Sequence, residues 1–304
     1  MIKTKTLFIL GAGASQPFGY PTGIELRELI RLQSRKGPVI HALKLADAAV
    51  DWDDKRVDKF ITEFSKSSDL SIDSFLEQRK EFMDIGKMTI ASYLLPYEVD
   101  ERLRESKDNW YMYLYNRLKS SFEEFDKNKI SFITFNYDRS LEQFLFEALK
   151  SRFKRNPQEC AAKLKNIPII HLYGQLDLLP WQDGEGSPYS QREKNILRIR
   201  NACDNIKLIT EEREVKESKE FQDAYRLIED AERIYILGFG FDETNLERLN
   251  ISLMKDKTIT ATAYGLERSK RRWIEQYFKT RINTNIFLLD FDTLSLLKEH
   301  LQIE

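Results

Sequence analysis

Four short segments carry residue types from which a ligand cleft can be made. Gly11-Ala12-Gly13-Ala14-Ser15 follows a first apolar run, and Thr134-Phe135-Asn136-Tyr137-Asp138 ends a second. His171-Leu172-Tyr173-Gly174 ends a third, and Gly238-Phe239-Gly240-Phe241-Asp242 ends a late one. Glycines after a first strand permit a tight turn and let backbone N–H groups approach a pyrophosphate. The dinucleotide fingerprint is incomplete, because its third glycine falls at Gln16 and no acidic residue stands at the end of a second strand about 20 residues on. The Asn136 carboxamide suits the orientation of a hydroxyl or a water, and a histidine such as His171 takes up a proton near its unperturbed pKa of about 6.5. Each segment also has a plain structural reading. Asn136 and Asp138 suit the capping of a following helix, His171 a satisfied strand end, and the glycines ordinary turns.

The elements that must position these residues are legible as alternation. Thr6–Leu10 is apolar on both faces, as in a buried parallel strand. A helical pattern follows from Thr22. From about residue 38 to 126 strand signal is nearly absent and apolar residues recur at three and four: Ile40, Leu43 and Leu45, then Phe60, Ile61 and Phe64, then Phe75, Leu76 and Phe82. A tyrosine-rich segment with Trp110, Tyr111, Leu114, Tyr115 and Leu118 closes it. This predicts an inserted helical subdomain of about four or five helices whose aromatic stripe is core packing. Strands are then predicted at 130–135, 167–171, 206–210, 233–237, 258–264 and 286–289, separated by amphipathic helices such as Leu141–Leu149. Such alternation predicts an α/β fold, a doubly wound and mostly parallel sheet spanning 1–304 as one domain with its insertion. Ligands in such sheets lie beyond the carboxyl ends of the strands, where all four segments fall.

Composition narrows the class. Of 304 residues 48 are basic and 49 acidic, a formal charge of −1, so no net field draws the chain to nucleic acid or an anionic membrane. The local run Lys270-Arg271-Arg272 suits a solvated helix face. Two cysteines, Cys160 and Cys203, cannot build a four-cysteine zinc site, and no zinc is expected. No signal-peptide pattern and no membrane-length apolar run occur, so cytoplasmic residence is expected. His41 falls in the helical insertion and His300 in a charged C-terminal helix, both suited to structural or exposed roles. Ser15 has no His/Asp partner nearby in sequence and suits phosphate binding better than nucleophilic attack.

The ordered set of segments resembles the sirtuin superfamily. Thr134-Phe135-Asn136-Tyr137-Asp138 resembles the Thr-Gln-Asn-Ile-Asp segment of sirtuins, and His171-Leu172-Tyr173-Gly174 their His-Gly segment with two residues inserted. Ser71-Ile72-Asp73-Ser74-Phe75-Leu76 resembles a segment of sirtuin-like proteins in bacterial antiphage defence. The tyrosine-bearing motifs stand closer to those defence proteins than to the deacetylases. The resemblance spans about Leu7 to Gly265. Two departures bear on substrate: the zinc cysteines are missing, and Gln16-Pro17-Phe18-Gly19-Tyr20-Pro21-Thr22-Gly23 replaces the Gly-Ile-Pro-Asp-Phe-Arg run.

The resemblance implies that NAD is a substrate, bound through Gly11, Ala12, Gly13, Ser15, Asp138, Gly238, Gly240 and Asp242. It implies catalytic roles for Asn136 and His171. Tyr264-Gly265 would flank the adenine, or simply end a strand. The activity expected is cleavage of the nicotinamide–ribose bond to nicotinamide and ADP-ribose, depleting NAD during phage infection. A homo-oligomer, or a partner such as a HerA-type ATPase or an Argonaute-like protein, would supply control. The alternatives are an NAD-dependent protein deacylase or ADP-ribosyltransferase, and a non-catalytic sensor of NAD or ADP-ribose.

Overall fold

The computed structural model describes residues 1–32, 54–190, 196–208 and 212–302. Six strands form one sheet: β1 Thr6–Leu10, β2 Ile130–Thr134, β3 Ile169–His171, β4 Arg233–Leu237, β5 Thr258–Thr262 and β6 Ile286–Leu289. Their order is β3-β2-β1-β4-β5-β6, and every pair is parallel. β1 is buried along its whole length because it is central and covered on both faces. Register across the middle is marked by aromatic stacking. Phe8 lies opposite both Phe132 and Tyr235, with ring centroids 5.2 and 5.5 Å apart. The order runs outward from β1 in both directions, so β1 and β4 bracket the topological switch point of a Rossmann-like α/β sheet.

One predicted strand is not formed. Residues 206–210 read as a strand, yet Ile206 makes only a single antiparallel bridge, to Gly174, and 209–210 lie outside the described residues. Ile206 instead closes the helix Ile196–Asn205, its N–H donating to the carbonyl of Ala202. A side chain on Gly174 would place its Cβ 1.9 Å from Asn205 O, so the glycine sets this close approach.

Between β1 and β2 the described α-helices are Gly23–Leu32, Asp54–Lys66, Ile72–Gln78, Met83–Leu94, Arg102–Glu105 and Trp110–Arg117. The opening of the predicted insertion, with Ile40, His41, Leu43 and Leu45, lies outside the described residues. The aromatic stripe is core as expected: Phe60, Phe64, Phe75 and Phe82 are all buried and pack ring against ring. These helices are stitched onto the carboxyl end of the sheet. Trp110 Nε1 donates to Ala14 O at 2.7 Å, and the Phe18 ring stacks on Tyr111 at 3.9 Å. Helix Ile72–Gln78 reaches across to the turns after β2 and β3 and to the helix Glu243–Arg248. Its Asp73 accepts from the hydroxyl of Tyr137, and its Glu77 holds Arg248, which donates to Tyr173 at 2.8 Å.

Burial raises the pKa of Asp73, and the Tyr137 hydroxyl counters this by bonding its charged form. Tyr137→Phe leaves that half-buried carboxyl without its hydroxyl donor. A loss of about 1–2 kcal/mol in stability is expected, read as a lower urea midpoint at unchanged m-value. Among the described residues no helix is long and apolar enough to cross a membrane.

Candidate functional site

The turn after β1 is a 3-10 turn, Ala12–Ala14, followed by a second, Gln16–Phe18. Gly19, with φ +94°, ends the second, and the first α-helix begins only at Gly23. No α-helix N-terminus therefore points from this turn into the crevice. The N–H groups of Gly11, Gly13, Ala14 and Ser15 already donate, to Leu237 O, Gly238 O, Gly11 O and Ala12 O. Among the described residues Ala12 keeps the one uncommitted N–H of this turn. The turns after β1 and β4 are in backbone contact: a Cβ on Gly11 would lie 2.6 Å from Gly238 O, and one on Gly238 would lie 2.0 Å from Ala14 N.

The turn after β2 reaches the same place. Asn136 Nδ2 donates to Gly11 O and to Ser15 Oγ, each at 3.0 Å. Because a carbonyl only accepts, this contact sets the orientation of the amide. The side-chain carbonyl of Asn136 is left without a protein donor among the described residues, and the residue is half-buried. Ser15 Oγ in turn donates to Asp138 Oδ2 at 2.7 Å. Asp138 Oδ1 accepts from the N–H and the hydroxyl of Ser140, and Ser140 Oγ bonds Tyr111 OH at 2.6 Å. Burial holds the Asp138 carboxyl above the ordinary carboxylate range, against the pull of the hydrogen bonds from Ser140 and Ser15. Asp138 thus ties the β1 turn to the helix Ser140–Phe153 rather than presenting an open carboxylate.

His171, buried at the end of β3, binds this turn from below. Its Nδ1 lies 2.7 Å from the main-chain oxygen of Asn136, and its Nε2 lies 2.6 Å from Glu142 Oε1. Burial alone would lower the pKa of His171. The neighbouring Glu142 carboxylate and the Asn136 carbonyl outweigh that and raise it. The structure therefore joins Gly11, Ser15, Asn136, Asp138, His171 and Gly238 into one hydrogen-bonded, close-packed unit at the ends of four adjacent strands. Ala12 and Gly13 are half-buried at its surface. Gly240 and Asp242 lie further along the β4 turn, exposed. Gly240 has open space where a side chain would stand, and Asp242 caps the helix Glu243–Arg248 through the N–H of Asn245.

Ser140, Tyr111 and above all Glu142 belong to this unit and were not anticipated from the sequence. Glu142 was open to discovery. It shares helical phase with Leu145 and Leu149, so an acid stands on a stripe that must be buried. Tyr111 offered no such signal, because its partner Ser140 is distant in sequence.

A scan against protein-family models finds none that matches this chain, and a search of curated proteins finds no match.

Proposed function

We propose that the chain is an NAD glycohydrolase of sirtuin-like type, releasing nicotinamide and ADP-ribose. The observation that carries this reading is the Asn136 amide. It is locked by Gly11 O and Ser15 Oγ so that its half-buried carbonyl has no protein donor among the described residues, beside the carboxyl ends of β1 and β2. The glycines Gly11, Gly13 and Gly238 let the turns after β1 and β4 pack backbone to backbone, and in this reading a dinucleotide lies across the ends of β2, β1 and β4. The leaving group is already cationic nicotinamide, so no acid is needed to protonate it, and the sugar passes through an oxocarbenium-like state. Asn136 Oδ1 orients the ribose or the attacking water. His171 holds the Asn136 turn through its Nδ1 contact with the Asn136 main-chain oxygen, and takes the proton that the water gives up only when Nδ1 has left that carbonyl in its unprotonated form. Depletion of NAD in antiphage defence, under control of a homo-oligomer or of a HerA-type ATPase or Argonaute-like partner, is the biological role that goes with this activity.

One observation favours a second reading, a protein that binds NAD or ADP-ribose without cleaving it. Both ring nitrogens of His171 are taken up within the protein. The purified chain incubated with NAD separates the two. Nicotinamide and ADP-ribose are expected in equal amounts from the wild type, and about 100-fold less or lower from Asn136→Ala and His171→Ala. Calorimetric binding of NAD with no product from the wild type would favour the sensor, and equal turnover in all three proteins would remove Asn136 and His171 from the mechanism.

A further inference from the structure

The two contacts of the His171 ring are not equivalent. The Asn136 main-chain oxygen, 2.7 Å from Nδ1, can only accept, so Nδ1 carries a proton. Glu142 Oε1, 2.6 Å from Nε2, accepts as a carboxylate and donates as a carboxylic acid. The proton between Nε2 and Oε1 can therefore sit on either atom without disturbing the bond from Nδ1. In a histidine the partner of one nitrogen sets the protonation of the other. Glu142 supplies that partner from the first turn of the helix Ser140–Phe153, which follows the Asn136 turn directly, and its side chain is almost wholly buried. The main chain of Asn136 is thus held by His171, while its side-chain amide is held by Gly11 O and Ser15 Oγ.

We propose that Glu142 is a positioning residue of this site: by engaging Nε2 it obliges His171 to keep its Nδ1–H on the Asn136 carbonyl, and so fixes the turn that aims the Asn136 amide. The inference rests on the reading in which Asn136 orients the ribose or the water. Glu142 acts through His171, does not touch substrate, and needs no exchange of its proton with solvent for this role. Without a partner at Nε2, the neutral ring is free to carry its one proton there. Nδ1 would then turn a lone pair toward the Asn136 oxygen, leaving two acceptors face to face, and the turn would have to shift. The other carboxyl that acts on the ring is Asp138, in the turn itself, and it is spent on Ser15 and Ser140. Among the described residues Glu142 is the carboxylate in hydrogen-bond contact with His171.

Nitrogen-15 NMR of the histidine rings, with His171 assigned through His171→Gln, tests this without any need for activity. As pH passes upward through the raised midpoint of the wild-type ring, Nδ1 is expected to stay protonated while only Nε2 changes. A neutral wild-type ring protonated at Nε2 instead would overturn the proposal, and this measurement needs no variant to fold. Glu142→Gln keeps a partner at Nε2, because its amide both donates and accepts, so Nδ1–H is expected to persist. Glu142→Leu offers none, and its neutral ring is expected to shift toward the form protonated at Nε2. The side-chain amide protons of Asn136 should then exchange with solvent faster in Glu142→Leu than in the wild type or Glu142→Gln. Unchanged exchange in Glu142→Leu would overturn the positioning role. In NAD turnover Glu142→Gln is expected to stay close to wild type, and Glu142→Leu to fall about tenfold or more through the displaced amide. A fall as large in Glu142→Gln would assign the effect to charge and overturn the proposal. No turnover by any form, with the ring and amide contrasts intact, would count against the hydrolase reading and leave the hold of Glu142 on the Asn136 turn standing.

Discussion

Glu98→Ala is expected to lower the stability of the chain by about 3–5 kcal/mol, measured as a shift of the urea midpoint at constant m-value. Glu98 is fully buried and takes both arms of Arg139, Nε on Oε1 at 2.8 Å and Nη2 on Oε2 at 2.7 Å. Arg198 donates to the same Oε2. One carboxylate thus bridges two guanidinium groups that have almost no access to water. Arg139 spends its remaining donors on the carbonyls of Leu178, Ser187 and Pro188, so the cluster also fastens the long loop that follows β3. Deleting the carboxylate leaves two cations buried without an anion, a far greater penalty than losing an exposed pair. A change below about 1 kcal/mol would mean that water reaches both guanidinium groups, contrary to their burial.

Gly238→Ala is expected to cost about 2–5 kcal/mol, the sum of two separate effects. The residue has φ +58°, where an L side chain loses roughly 1–2 kcal/mol. Its Cβ would also stand 2.0 Å from Ala14 N and 2.4 Å from Gly13 C, and overpacking typically adds about 1–3 kcal/mol. Backbone cannot swing aside as a flexible side chain does, so the β1 and β4 turns must separate. The bond from Gly13 N to Gly238 O and the register of Ala12 would go with them. Gly240→Ala supplies the control, since nothing lies within 4 Å of its Cβ position and its φ is not positive. Near-wild-type stability is expected for Gly240→Ala. Equal losses in the two variants would mean that the β4 turn tolerates side chains alike at both places, and the close-packed contact would be wrong.

The candidate site was legible to the extent that its residues sit at strand ends. Short apolar runs stopped by Gly, Asn or His mark both the strand and its carboxyl terminus, so Gly11, Asn136, His171 and Gly238 announce themselves locally. Their partners do not. Asp138 was readable as a cap or as a site residue, and it serves as a cap for Ser140 while also accepting from Ser15 across 123 positions of sequence. The predicted strand at 206–210 failed because an apolar pair such as Ile206 and Leu208 reads the same whether it extends a sheet or closes a helix. Only the approach of Gly174 decides between them.

By itself the amino-acid sequence determined the alternation of strand and helix, the buried character of β1 and the placing of four turns at carboxyl ends. Those properties follow from periodicity and backbone freedom over a few neighbouring residues. Tertiary structure alone decided the strand order, the descent of helix Ile72–Gln78 onto Tyr137, the union of Glu98 with Arg139 and Arg198, and the contact of Glu142 with His171. The physical reason is shared. A buried charge or hydroxyl must find a partner wherever the fold brings one, and that partner is set by packing between elements far apart in the chain rather than by spacing along it.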